Sequence, residues 1–200
     1  PRFVPYLHEI LGPGFRMDHN AGLITMREGA EGHTFHGSSG PGFDPPQYYL
    51  FKHGRMHNGL TVVSWQFADT NEGDGGFCLI PGSHKGNYPC PPEMKKYEQH
   101  QEFIKQITAR AGDVVIFTEA VTHGTIPWTA DHDRRSILYK YASRAAARAV
   151  GKHFTPQERY GEWVNELSPE QQAVLYGPGV HHGGRLPILD SDGDKVWIEG

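Results

Sequence analysis

Apolar positions in this chain fall in short runs that are separated by turns rich in glycine and proline. Residues 60–67 combine β-branched and aromatic side chains, a composition that favours strands. Residues 114–117 (VVIF) form a continuous apolar run, which predicts a strand buried on both faces. Residues 77–80 and 134–139 show further strand patterns. The pattern therefore predicts a mainly β protein.

Helical patterns occur in three places. Residues 3–11 predict a short N-terminal helix, and residues 93–107 have helical spacing on a polar segment, which predicts a surface helix. Residues 145–178 contain two helix starts in which a hydroxyl residue precedes proline, Thr155-Pro156 and Ser168-Pro169. They predict a helical region packed on the strands. Many short strands followed by helices predict one domain over residues 1–200, an antiparallel double-sheet barrel or jelly roll. We expect that part of the natural N-terminus is missing.

Composition narrows the classes of function. The chain is 37% hydrophobic and 21% charged, which is typical of a globular protein. A net charge of −4 and the lack of a basic run argue against nucleic-acid binding. Neither a membrane span nor a signal peptide is visible, so we expect a cytoplasmic protein. Two cysteines do not make a disulfide framework and are predicted to be free thiols.

One histidine and one arginine are the best candidates for chemistry. His123 follows the predicted strand 114–117, and Arg134 begins the next strand, where alternation turns Arg135 to the opposite face. His36 lies where a strand ends and a loop rich in glycine and proline begins. Two histidines and one carboxylate can hold Fe(II), and an arginine can bind the carboxylate of a chelating 2-oxo acid. From these residues alone, zinc or no metal is an equally open alternative.

Several motifs in the middle of the chain resemble the phytanoyl-CoA dioxygenase family. They are residues 73–85 (GDGGFCLIPGSHK), 112–117 with 122–124, and 134–137, and the matched blocks run from about His36 to Tyr141. The resemblance implies a double-stranded β-helix fold with flanking helices, and the cofactors Fe(II) and 2-oxoglutarate. It implies five functional positions: the iron ligands His36 and His123, then Arg134, Thr125 and Trp65 around 2-oxoglutarate.

The chain departs from the family at one position. The family has an acid two residues after the first histidine, and this chain has Ser38 there. Asp44 or Asp18 could instead supply the third ligand. Alternatively, the carboxylate is absent and leaves a position for halide, as in related halogenases, or the site binds metal poorly and the protein is not a catalyst.

The resemblance and the residues together predict an Fe(II)- and 2-oxoglutarate-dependent dioxygenase. It would hydroxylate an aliphatic C–H bond of a small or medium organic substrate and convert 2-oxoglutarate to succinate and CO2. The alternatives are a non-catalytic, cupin-like binding protein and a halogenase. We expect a small-molecule substrate and no nucleic-acid or membrane partner.

Overall fold

The computed structural model of the chain describes residues 2–37, 43–86, 88–146, 154–178 and 186–199. Within these residues it contains three α-helices, which are α1 (Val4–Leu11), α2 (Pro156–Tyr160) and α3 (Pro169–Ala173). The strands are β1 (Arg16–Met26), β2 (His33–His36), β3 (Tyr49–Lys52), β4 (Arg55–Asn58), β5 (Thr61–Gln66), β6 (Gly76–Leu79), β7 (Lys105–Gln106), β8 (Val114–Thr118), β9 (His123–Ile126), β10 (Arg134–Ala142), β11 (Ile188–Asp192) and β12 (Lys195–Glu199).

Two four-stranded antiparallel sheets make up the barrel. The first sheet has the order β1-β10-β5-β8, and the second has the order β2-β9-β6-β7. Two hairpins, β3-β4 and β11-β12, lie outside these sheets. The predicted double-stranded β-helix is therefore confirmed, because the strands of these two sheets alternate between them along the chain, apart from β6 and β7, which follow one another in the second sheet.

A helix covers the outer face of the first sheet. Helix α1 buries Val4, Leu7 and Leu11, whose spacing of three and four residues places them on one helix face. These side chains pack against Val63 and Tyr141 from the sheet and against Phe15, which directly precedes β1. The outer face of the second sheet is covered by the segment that follows β6, which contributes Cys90 and Met94 to a cluster with Phe35 and Cys78.

Alternation along each strand decides which side chains point into the barrel. On β5, Val63 and Trp65 belong to the outer cluster beneath α1, so Ser64 and Gln66 point inward. On β10, Tyr139 and Tyr141 face outward, and the even-numbered positions from 134 to 140 therefore face the interior. The interior of the first sheet is thus unusually polar.

One helix prediction was wrong. Residues 93–107 form no α-helix, and contain the 3₁₀ turns Pro92–Met94 and Gln101–Phe103 and the short strand β7. Tyr97 and His100 adopt positive φ angles, which interrupt a helix. The few apolar residues of this mostly polar segment, among them Met94, Tyr97 and Ile104, pack against the second sheet from turns and extended chain, so no helix face is needed to bury them.

The two predicted helix starts in the C-terminal part are confirmed. Thr155 and Ser168 both form capping boxes, each with a proline at the start of the helix behind it. Of the predicted helical region, residues 147–153 lie outside the described part of the chain. No helix among the described residues has the length and apolar character needed to cross a membrane.

Candidate metal centre

Two histidines meet inside the barrel. His36 is the last residue of β2 and His123 is the first residue of β9, and the two are direct partners in the antiparallel pairing. Their ring centroids are 4.2 Å apart. On β2, Phe35 belongs to the outer cluster, so His36 on the next position points inward. The strand pairing thus brings together two imidazoles that are far apart in the sequence.

The hydrogen bonds of these histidines define which nitrogen is free. The Nδ1 of His123 lies 2.7 Å from the Val121 carbonyl oxygen, and the Nδ1 of His36 lies 3.1 Å from that of Thr34. A carbonyl only accepts, so both Nδ1 atoms donate, and Nε2 is the nitrogen that carries the lone pair in the neutral form of each ring. Burial lowers the pKa of His123 to about 4, with a smaller contribution from His36. A neutral imidazole with a free Nε2 is the form that binds metal.

A carboxylate that the sequence did not point to completes this group. Glu119 lies directly after β8 and is 4% exposed, and its Oε2 is 3.9 Å from the Nε2 of His123. One potential ligand atom from each of Glu119, His36 and His123 lies within 4.8 Å of the others. Within the described ranges, these three residues are the only such group of histidine, cysteine, aspartate or glutamate side chains.

A lysine balances the charge of this carboxylate. The Nζ of Lys140, on the inner face of β10, lies 2.7 Å from Oε1 of Glu119. Burial alone would raise the pKa of the Glu119 carboxyl, but the Lys140 ammonium outweighs this effect and holds that pKa below its ordinary value. Glu119 is therefore an anion at neutral pH, beside two imidazoles of which His123 is neutral.

A glycine allows the two strands to approach at this point. Gly37 follows His36 with a φ of 123°, a value that side-chain-bearing residues rarely adopt. A Cβ at this position would lie 2.4 Å from the Val121 carbonyl oxygen, which also accepts the hydrogen bond from His123. The glycine after His36 is thus required by the close contact that positions both histidines.

A buried arginine points into the same barrel. Arg134 is 5% exposed, and its Nε has no hydrogen-bond partner. Its Nη1 lies 3.4 Å from the sulfur of Met26, and no acidic side chain of the described residues forms an ion pair with it. Burial lowers the pKa of this guanidinium from its ordinary value. An unpaired, desolvated guanidinium is suited to an incoming carboxylate.

A small cavity beside the arginine is lined by polar, aromatic and aliphatic side chains. A Cβ at Gly76 would lie only 3.2 Å from Nε of Arg134, so the guanidinium passes directly over β6. Leu79 lies three residues further along β6 and is the cross-strand partner of His123. The backbone positions beside Arg134 and beside His123 are therefore about 10 Å apart along β6. The cavity beside Arg134 is lined by Ser64, Gln66, Thr70, Phe77, Ile107, Ala109, Val115, Phe117 and Leu138.

These residues fit the two cofactors that the family resemblance implies. The donor set of two imidazoles and one carboxylate is the set that holds non-haem iron. The unpartnered Nε of Arg134 is the buried polar atom that a carboxylate of a dicarboxylic acid would satisfy. The separation of about 10 Å along β6, between the positions beside Arg134 and beside His123, suits a short dicarboxylate. One end of such a molecule would chelate the metal and the other would meet the guanidinium.

The remaining candidates from the sequence have different positions. Thr125 is two residues after His123 on β9, so its side chain shares the inner face. Trp65 is on the outer face of β5 and packs edge-on against Phe3, with ring centroids 5.8 Å apart. The structure therefore does not bring Trp65 to the Arg134 cavity, because the strand's alternation turns it the other way.

Neither aspartate suggested by the sequence joins the histidines. Asp18 is fully buried, with an ion-pair distance of 3.7 Å to Arg16 and a hydrogen bond of 2.8 Å with His19. Asp44 is exposed and precedes a 3₁₀ turn. Both lie outside the group formed by Glu119 and the two histidines. Ser38, where the family acid was expected, lies outside the described residues.

Comparisons with known proteins agree with the fold. A curated relative, "Dioxygenase cdmD" from Talaromyces verruculosus, is 26% identical over 129 residues, which cover 62% of this chain and 38% of that protein. HygX from Streptomyces hygroscopicus, solved with nickel and 2-oxoglutarate bound, superposes with a TM-score of 0.61 at 20% identity, covering 71% of this chain and 61% of that one. ThoJ, described as a non-heme monooxygenase, gives 0.55 at 15% identity, covering 77% and 56%. The chain thus spans less than two thirds of each of these proteins.

The family assignment rests on the match of this chain to a family model. The family model "Phytanoyl-CoA dioxygenase (PhyH)" matches residues 25–136, which is more than half of the chain. The matched range includes His36, Glu119 and His123, which form one group, and Arg134, which points into the same barrel. The chain therefore belongs to the phytanoyl-CoA dioxygenase family.

Proposed function

We propose that this barrel is the catalytic domain of an Fe(II)- and 2-oxoglutarate-dependent dioxygenase that hydroxylates an aliphatic C–H bond. The observation that carries the proposal is the buried Arg134, which has no acidic ion-pair partner among the described residues and shares one interior with His36 and His123. A desolvated cation costs free energy in a protein unless an anion meets it. An anionic cosubstrate that also reaches the histidines accounts for both features.

Each residue then has a defined role. His36 and His123 offer their Nε2 atoms to the metal, because the Thr34 and Val121 carbonyls hold the Nδ1 hydrogens. Arg134 binds the distal carboxylate of 2-oxoglutarate. When bound, iron and 2-oxoglutarate supply the oxidation, in which O2 places one oxygen atom in the substrate and one in succinate, and CO2 leaves.

Other side chains shape the pocket around the cosubstrate. The hydroxyl of Thr125 is on the inner face of β9, from which it can donate to the same carboxylate that Arg134 binds. The rings of Phe77 and Phe117 stack with centroids 4.4 Å apart, and Phe117 also contacts the His123 ring at 5.0 Å. These aromatic rings exclude water from one side of the metal site.

The substrate proposed is a small or medium organic molecule. A crystal structure of HygX contains hygromycin B together with nickel and 2-oxoglutarate, so a fold of this kind can accommodate a small-molecule ligand. Halogenation is the weaker alternative. A halogenase has no carboxylate beside the two histidines, whereas here the carboxylate of Glu119 lies beside His123. A purely binding role also provides an anion for Arg134, and 2-oxoglutarate binding without succinate formation would favour it.

Succinate formation tests the proposal. The metal-free protein is loaded with Fe(II) without oxygen, then mixed with 2-oxoglutarate and air, and succinate is measured with and without a panel of aliphatic substrates. We expect iron-dependent succinate and titratable binding of 2-oxoglutarate to the metal-loaded protein. If 2-oxoglutarate does not bind the metal-loaded protein and no succinate forms with any substrate, the proposal is wrong. A chlorinated product in the presence of chloride would favour the halogenase.

A further inference from the structure

The family's acid position raises the question of what completes the metal site. In this chain the residue two positions after His36 is Ser38, whose side chain has no carboxylate. Glu119 lies on the other side of the pair, four residues before His123, and reaches the histidines from the turn between β8 and β9. Glu119 and His123 therefore lie at the two ends of the turn that joins β8 to β9, whereas His36 comes from β2.

The orientation of the Glu119 carboxylate distinguishes its two oxygens. Oε1 lies 2.7 Å from the Nζ of Lys140, and Oε2 lies 3.9 Å from the Nε2 of His123. Two atoms bonded to one ion at about 2.1 Å lie about 3 Å apart when they occupy neighbouring positions. The gap between Oε2 and Nε2 therefore has to close by about 1 Å, which side-chain rotation can provide.

The burial of this arrangement argues against an ordinary ion pair. Glu119 is 4% exposed, and the side chain of Lys140 is 23% exposed. Removing such a pair from water costs free energy that an attraction between two charges often fails to recover. An ion between Oε2 and the two Nε2 atoms gives the buried carboxylate a second partner.

We propose that Glu119 is the third metal ligand through Oε2, and that Lys140 is the positioning residue that holds Oε1. The proposal rests on the proposed function, since it takes His36 and His123 as the other two ligands. It replaces the acid of the family's first motif with one that precedes the second histidine. It also leaves no ligand position vacant for a halide in place of the carboxylate.

Metal binding measured without turnover tests this. The full chain is freed of metal and titrated anaerobically with Co(II), whose visible spectrum reports the number and kind of ligands. We expect Glu119→Gln to weaken Co(II) binding at least 10-fold and to change the spectrum, because an amide oxygen is a weaker ligand than a carboxylate. Glu166→Gln is the matched control, since Glu166 is exposed, and it should bind as the wild type does.

Lys140 is tested by a pair of variants. Lys140→Met should weaken Co(II) binding about 10-fold or more, which is the usual effect of losing a residue that orients a ligand. Lys140→Arg keeps a cation beside Oε1 and should restore most of the affinity and the wild-type spectrum. Wild-type affinity and spectrum in Lys140→Met would refute the positioning role.

The two histidines separate this proposal from the proposed function. If His123→Ala abolishes Co(II) binding while Glu119→Gln binds with wild-type affinity and spectrum, Glu119 is not a ligand, although the metal site exists. If His36→Ala and His123→Ala both bind as the wild type does, the metal site itself is wrong. Thermal melting of each metal-free variant checks folding. Should Glu119→Gln not fold, Glu119→Asp keeps a charge opposite Lys140 but withdraws the carboxylate by one methylene, and wild-type binding by it would overturn the proposal.

Discussion

Replacement of Arg134 by methionine should move cosubstrate binding and stability in opposite directions. The guanidinium is 5% exposed and forms no ion pair with the described residues, so the folded protein bears the cost of desolvating it. Methionine fills a similar volume without a charge. We therefore expect the free energy of unfolding of the metal-free Arg134→Met variant to be unchanged or raised by about 1 kcal/mol.

Binding of 2-oxoglutarate should fall sharply in the same variant. Each charge-assisted hydrogen bond contributes about 1.5–3 kcal/mol, and a guanidinium forms two with a carboxylate. The loss is therefore at least about 3 kcal/mol, which corresponds to an affinity about 100-fold lower. Calorimetric titration of 2-oxoglutarate into the Co(II)-loaded protein measures this loss, and urea unfolding of the metal-free protein measures stability.

Arg135 provides the matched control for this experiment. It is the next residue on β10, points outward, and forms an exposed ion pair of 2.9 Å with Asp133. Arg135→Met should change both stability and 2-oxoglutarate affinity little, because exposed ion pairs contribute at most about 1 kcal/mol. If Arg134→Met lowers stability by more than about 2 kcal/mol and leaves 2-oxoglutarate affinity unchanged, Arg134 is a structural residue and our reasoning about its charge is wrong.

Three further predictions concern single positions. Gly76→Ala should weaken 2-oxoglutarate binding in the same calorimetric assay, because a Cβ at this position would contact Arg134. It should also destabilise the protein by about 1–2 kcal/mol in urea unfolding, because the φ of Gly76 is 84°. Unchanged affinity and stability would contradict this. Thr155→Ala should cost about 1 kcal/mol by urea unfolding, since it removes the capping box with Glu158, whereas no loss would mean that this helix contributes little to stability. Burial raises the pKa of Cys78 to about 11, so its alkylation should be slow at pH 8. The same raised pKa means that stability should fall as pH rises from about 9 to about 11, and the fall should be smaller in a Cys78→Ala variant.

The sequence predicted the strands well because their residues carry a direct signal. Residues 60–67 and 114–117 are β-branched, aromatic or apolar, and they form β5 and β8. Trp65 was placed in the pocket although it lies on the outer face. Alternation separates the two faces of a strand, but on a sheet that is buried on both sides it does not tell which face is the interior.

Glu119 could not have been selected from its local sequence. It follows an apolar strand and precedes Ala120 and Val121, a context shared by many acids that cap a strand in solvent. Its burial depends on Lys140, which reaches it from β10, and on the pairing of β2 with β9. Such contacts join distant parts of the chain and are not visible in a short motif.

The pairing of β2 with β9 has a consequence for dynamics. Only two residue pairs define its register, His33 with Thr125 and His36 with His123, with an irregularity between them. A strand held by so few pairs opens more readily than its neighbours. A metal held by both His36 and His123 would link the two strands as a crosslink does, so binding should slow amide hydrogen exchange in β2 far more than in β5. Occupancy of the site would then govern how often this edge of the barrel opens.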